Sequence, residues 1–184
     1  MDAKPVAIRP ILDRDLDALL RFRLEPGLIG PNWYGHRDSG ELARRLQQDG
    51  WLGEDDSRMT VTVDDEPAGF VAWAKVSQGN GCYWGIGISL LPEYRGHGVG
   101  SAAQRLLCAY LFEHSAAPRI EAVTQPENVV EQRILERLGF RHEGTLRSAE
   151  FRGGCWRDVM IYGLLRDDFS TAVRRRSAGS RRSS

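Results

Sequence analysis

The chain has 184 residues (20.7 kDa), is 41% hydrophobic and 27% charged, and has a mean hydropathy of -0.41. These values exclude an intrinsically disordered or collagen-like polymer and suit one globular domain. Its 25 basic and 25 acidic residues cancel, but Arg174, Arg175, Arg176, Arg181 and Arg182 all stand in the last fifteen residues, so residues 1–169 carry a net charge of -5. A body of that sign does not attract polyanions. The expectation is a domain over 1–169 and a basic, disordered tail over 170–184, with nucleic acid not a partner. No apolar run reaches the roughly 18 residues of a membrane-spanning helix, and the first residues lack an export signal's layout. A cytoplasmic chain without a membrane partner is expected, as monomer or homodimer. Cys82, Cys108 and Cys155 form no Cys-x-x-Cys pair. They exclude a disulfide framework and a cysteine zinc site; buried, reduced thiols and no metal are expected.

In chain order, residues 7–10 read as a short strand. Asp13 then caps a helix whose Leu16, Leu19, Leu20 and Leu24 repeat at three-and-four spacing, and Pro26-Gly27 stops it. An aromatic loop spans 30–36, and a second helix is predicted over 39–48. Two β-rich runs, 60–63 and 69–73, flank the turn chemistry of 64–68 and read as a hairpin. A third strand covers 83–90. Beyond a glycine-rich stretch, Ala103, Leu106, Leu107, Tyr110, Leu111 and His114 form the apolar face of a helix. A strand over 120–124 and a helix over 126–138, stopped by Gly139-Phe140, come next. Two last strands, 144–151 and 159–164, are joined by Arg152-Gly153-Gly154. The order β-α-α-β-β-β-α-β-α-β-β predicts a mixed α/β (α+β) domain around one sheet, without an internal repeat.

The glycines at 96, 98 and 100 lie between a strand and an amphipathic helix, which is the layout of an anion site. Residues without Cβ let backbone N–H groups approach a ligand, and the helix dipole adds positive potential there. A diphosphate is the natural guest. The third glycine comes one residue too early for a dinucleotide fingerprint, and no lysine follows for a P-loop.

The remaining pattern is R-x-x-G-x-G, Arg95 to Gly100. It resembles the diphosphate loop of the general-control-type N-acetyltransferase (GNAT) family. A second block, Pro126-Glu127-Asn128 followed by Ile134-Leu135-Glu136-Arg137-Leu138-Gly139-Phe140 and Glu143-Gly144, is similar to the signature of its ribosomal-protein (RimJ/RimL-like) branch. Gly153-Gly154, Asp158 and Tyr162 fit that branch's final hairpin. The resemblance spans about residues 6–165. It implies a single GNAT-like domain with a central mixed, mostly antiparallel sheet, splayed strands 4 and 5, and flanking helices. It also implies acetyl-CoA, or another acyl-CoA, as co-substrate between strands 84–90 and 120–124. The backbone of Ile88, Ser89 and Leu90 would then meet the pantetheine amides. The N–H groups of Arg95, Gly96, His97, Gly98, Val99 and Gly100, with Ser101, would hold the diphosphate. Asn128 would bond the pantetheine arm or, on its own residue type, merely cap the following helix.

The implied activity is N-acyl transfer from acyl-CoA to an amine of a small molecule or a peptide N-terminus. It needs a base for the ammonium proton, an oxyanion site and a proton for the thiolate. The backbone at Ser89 and Leu90 is the oxyanion candidate. The chain departs from the family where Leu135 stands at the usual tyrosine position and Glu131 at a frequent serine. Leucine cannot donate a proton, so a catalytically impaired acyl-CoA-binding regulatory module is the alternative. His36 and Glu150 are the catalytic base candidates, with Asp158 behind them. Trp33, Tyr34 and Trp51, beside His36, fall in the region that roofs the acceptor site in related enzymes; they are either its wall or helix-on-sheet packing. The net charge of -5 favours a cationic amine.

Overall fold

The structure is a computed structural model that describes residues 5–29, 33 and 35–169. Strand β1 (Val6–Arg9) leads through a 3-10 turn (Asp13–Asp15) into α1 (Leu16–Leu24), the short α2 (Pro26–Ile29) and α3 (Glu41–Asp49). A meander of β2 (Asp56–Val63), β3 (Glu66–Gln78) and β4 (Gly81–Leu90) follows. After a 3-10 turn (Pro92–Tyr94) come α4 (Val99–His114), β5 (Arg119–Thr124), α5 (Val129–Leu138), β6 (Arg141–Arg152) and β7 (Cys155–Leu165). One sheet takes the order β1-β2-β3-β4-β5-β7-β6. Every neighbour pair is antiparallel except β4 with β5, the mixed, mostly antiparallel sheet that the family resemblance implied.

The two-residue alternation of β2 sorts its side chains between two layers. Met59, Val61 and Val63 face α4 and α5 in one core, with Leu107, Leu111, Ile120, Leu135 and Leu164. The opposite face of the sheet carries a second core of Leu19, Phe22, Leu42 and Trp51, with Phe70 packed against it. The helical layer is tied down by Asp15, which is fully buried. Its carboxylate accepts from Arg9 (2.6 and 2.9 Å), from the Leu12 N–H (2.9 Å) and from the Thr60 hydroxyl on β2 (2.8 Å). Burial pushes its pKa up, but these three donors together outweigh it and hold the carboxyl below the ordinary range.

Several local expectations shift. Helix α1 ends at Leu24, with Glu25 extended before Pro26 as expected, and Pro26 then opens the short α2, since a first-turn residue needs no N–H donor. Asp13 starts a 3-10 turn and caps nothing. Helix α5 begins after Asn128, whose Oδ1 accepts the Glu131 N–H at 3.3 Å. The strands of the meander and of the last hairpin run longer than their β-rich centres, because ladder bonds carry polar flanks that propensity alone rejects. Only Cys108 is buried, its thiol pushed up to about 12 by burial; Cys82 and Cys155 are exposed, contrary to expectation. Among the described residues no helix is long and apolar enough to cross a membrane. Tyr34 and the arginine-rich tail lie outside the described residues.

Candidate active site

The parallel ladder between β4 and β5 runs from Trp84↔Ile120 to Ile86↔Ala122 and stops, although β4 continues to Leu90 on its partner β3. The two strands therefore part over residues 87–90. Which groups line the gap follows from the ladder. The Leu91 N–H is donated to Ala68 O at 2.9 Å, so with Phe70 opposite Ser89 in the same register, Ser89 turns its peptide groups to β3. Ile88 and Leu90, one residue out of phase, turn theirs to the open side. Of the three residues expected to meet an extended amide chain, Ile88 keeps both peptide groups open and Leu90 its N–H, the Leu90 O being taken by Arg95 Nε.

The glycine turn sits beyond the end of β4. Gly96 and Gly98 adopt left-handed backbone (φ 79° and 80°), and a Cβ on either would meet nothing within 4 Å. Gly98 caps α4 in that conformation, which glycine adopts without steric cost. Among the described residues no backbone acceptor takes the N–H groups of 96 through 101. Arg95 behaves differently from expectation. Its N–H is donated to Pro92 O (3.1 Å) and its Nε to Leu90 O (2.8 Å), while its Nη2 bonds Leu28 O. Arg95 fastens the turn to β4 and α2 and keeps no peptide N–H for a ligand. His97 is exposed, and Val99 is buried in the main core.

A cavity of 410 Å³ opens between the helical layer and the parted strands. Gly87, Ile88 and Ser89 line it from β4, and Thr124, Gln125, Asn128 and Glu131 from the β5–α5 side. Trp33 reaches it, and Glu150 lines it from β6 while accepting from Gln125 Nε2 at 3.4 Å. His36 is exposed, stacked edge-on to Trp33 at 5.2 Å between ring centres; its neighbours Gly35 and Arg37 line the cavity and it does not. Trp51, expected either on the acceptor wall or in helix-on-sheet packing, is 1% exposed and donates its Nε1–H to Leu42 O at 2.9 Å. It is core packing under the site. Asp158 accepts the Ser148 N–H at 2.8 Å and is not part of the lining.

The charges around the cavity are divided. Arg23 on α1, Arg37 before α3 and Arg58 on β2 stand on one side; on the α5 and β6 side stand Glu131 and Glu150, the latter paired with Arg152 Nε at 3.0 Å. Arg23, 8% exposed, donates to Asp38 O and Glu41 Oε2, both at 2.8 Å. Burial pushes the Glu131 carboxyl up, against a weaker downward pull from Gln104 on α4. That glutamine is itself buried, and its Nε2 has no hydrogen-bond partner. Burial lowers Arg58 to about 10. Leu135 is wholly buried in the main core. Arg58 and Arg23 escaped the sequence reading, Arg58 because its strand was begun at Thr60. A lone charge in phase with the inward residues of a strand was the available signal. Among the described residues no group of three His, Cys, Asp or Glu side chains is arranged to hold a metal ion.

Known proteins share this architecture. The probable N-acetyltransferase YjcK of Bacillus subtilis (strain 168) is 32% identical over 105 residues, which is 57% of this chain and 58% of that protein. The uncharacterized N-acetyltransferase p20 of Bacillus licheniformis is 34% identical over 110 residues, 60% of this chain and 61% of that protein. The matched segments thus span less than two thirds of these curated relatives. Mycobacterium smegmatis RimJ, solved in complex with CoA-disulfide, superposes with a TM-score of 0.80 at 25% identity, over 96% of this chain and 90% of its own. The acetyltransferase (GNAT) domain model matches residues 6–141 and so takes in the parted strands, the glycine turn and α5. The chain belongs to the GNAT acetyltransferase family.

Proposed function

We propose that this protein transfers the acyl group of an acyl-CoA, acetyl-CoA in the simplest case, to a primary amine of a small molecule or a peptide N-terminus. The observation that carries the reading is the open edge of β4, the Ile88 peptide groups at the cavity and the Leu90 N–H beyond them, which ends at the glycine turn. An extended arm with two amides suits such an edge as an added strand would. The room in front of Gly96 and Gly98 and the free N–H groups of 96–101 suit a diphosphate. CoA in the RimJ structure supports the same assignment.

An acyl-CoA bound there supplies an activated thioester carbonyl. The Leu90 N–H, turned to the open side, is the donor for a developing oxyanion. Asn128 keeps its amide NH2 for the pantetheine arm while its Oδ1 caps α5. Glu150, on the cavity wall, is the base that accepts the amine proton; His36 is the second candidate. Glu131 lines the cavity, and burial makes it a weaker acid than an ordinary carboxyl, so it is the candidate for the acid role that Leu135 cannot fill. The second reading, an acyl-CoA-binding module without turnover, rests on the burial of Leu135 in the core.

Free-thiol release from acetyl-CoA with a panel of amines separates the two readings. The transferase releases thiol with at least one amine and yields its N-acetyl product; the module binds CoA and releases none. Gly98→Asp should weaken CoA binding at least tenfold, about 1.4 kcal/mol, by setting a carboxylate against the diphosphate. Gly98→Asn, which tolerates left-handed backbone without adding charge, should lose much less. Equal affinities by calorimetry in folded wild type and Gly98→Asp would remove the diphosphate site from this turn.

A further inference from the structure

Within the transferase reading, on which this inference rests, the cavity says something about the acceptor. Arg58 pairs with Ala72 on β3, and Ala72 with Gly87 on β4, so the three share one row on the cavity face of the sheet. A Cβ on Gly87 would meet nothing within 4 Å. The small residues leave open space beside the guanidinium, which lies over the rings of Trp51 (4.6 Å) and Phe70 (5.1 Å). Its charge has no hydrogen bond or ion pair of its own among the described residues. The carboxylates near it are committed elsewhere: Glu41 to Arg23 at 2.8 Å, and Asp56 to Arg45 at 2.5 Å. Arg37 adds a second positive group to the same wall.

A half-buried cation without a partner is poorly hydrated, and aromatic faces offset only part of the loss. The arrangement suits an anion that arrives from outside. Guanidinium binds carboxylate in a planar, two-pronged fashion, and the opposite wall carries Glu131 and Glu150, where an amine would be received. We infer that the acceptor is an amine that also carries a carboxylate, with Arg58 as the carboxylate-binding residue. The inference replaces the cationic amine that the net charge suggested: the local wall is positive while the body is negative. The carboxylate belongs either to a free amino acid or to an acidic side chain near a peptide N-terminus, which offer the same chemistry to the site.

Three arms of one thiol-release assay distinguish the sources: free amino acids against their carboxamides; peptides amidated at the C-terminus with acidic or neutral first residues; and spermine. In at least one of the first two arms, wild type should prefer the carboxylate by tenfold or more in kcat/KM, and spermine should be poor. Arg58→Met should bring that ratio to about one, and Arg58→Lys should retain part of it. Calorimetry supplies a readout independent of turnover: N-acetylglutamate should bind the CoA-loaded wild type and not the CoA-loaded Arg58→Met protein. The melting temperature of unliganded Arg58→Met should equal or exceed that of wild type, because a purely structural arginine would lower it on removal. Wild-type preference for carboxamides or spermine, or a ratio unchanged in Arg58→Met, overturns the inference and leaves the transferase reading standing. Absence of thiol release with every amine overturns the transferase reading, and the N-acetylglutamate titration then decides the anion site on its own.

Discussion

Glu131 illustrates how one side chain is set by what surrounds it. On the first turn of α5 it would ordinarily be a solvated carboxylate, but the cavity wall and the buried Gln104 withdraw it from water. Its raised pKa means that the native state holds this proton more tightly than the unfolded chain does, so its contribution to stability is present in acid and is lost as pH rises through the native value. Glu131→Gln should therefore gain melting temperature relative to wild type at neutral pH, and that gain should shrink toward pH 4. If Glu131 is the proton donor, the same substitution should lower kcat by about 10² or more and remove the alkaline limb of the pH–rate profile, with CoA affinity kept. An unchanged kcat and profile would assign the residue to structure alone. From the sequence, Glu131 was visible only as a departure from a familiar serine; its burial depends on α4, far away in the chain.

At the scale of elements, β4 carries the site, and its conformation is shaped by its partner. Gly69 on β3 lies opposite Leu90, and a Cβ there would come 2.1 Å from Ser89 O and 2.8 Å from Leu90 Cα. The absence of a side chain thus lets β3 approach the segment where β4 leaves β5. Gly69→Ala must displace that segment. It should cost about 1–3 kcal/mol in denaturant unfolding and weaken CoA binding in parallel, since the open Ile88 peptide groups and the Leu90 N–H move with it. A variant with wild-type stability and affinity would show that the close approach is dispensable. The hairpin was legible in the β-rich runs around Asp64-Asp65, which do turn with positive φ. The extra length of its strands was not, because polar flanks such as Asp56-Ser57-Arg58 pair only once a neighbour offers the ladder.

For the molecule as a whole, the sheet separates two jobs. The face packed on α4 and α5 buries a large apolar core and fixes the spacing of β4 and β5; the other face is partly given up to the cavity. The helical layer that roofs the cavity is held to the sheet through Asp15, which joins Arg9 on β1, the turn before α1 and Thr60 on β2. Asp15→Asn should cost about 1.5–3 kcal/mol, because it takes the buried carboxylate from Arg9 and leaves it only the exposed Asp65 at 3.5 Å. The lowered pKa of Asp15 makes that difference full above the ordinary carboxylate range and lets it vanish as pH falls through the native value. Urea unfolding of both proteins at pH 7 and pH 3 measures it; a difference independent of pH would mean that the pairing is not what stabilises this joint.

Periodicity, turn residues and two short motifs suffice for the order of the strands and the longer helices, the mixed sheet, the glycine turn and the family. These are local properties: the alternation of a strand, the apolar face of a helix and the backbone freedom of Gly96 and Gly98 are written within a few residues of chain. The cavity is different in kind. Arg23, Arg58, Glu131 and Glu150 come from four separate elements, and what each does depends on charges and burial supplied by the others. No spacing records that Arg58 lacks a carboxylate, that Arg95 spends its donors on Pro92, Leu90 and Leu28, or that Trp51 lies under the site and not on its wall. Desolvation and pairing are set by neighbours in space, so only the folded chain decides them.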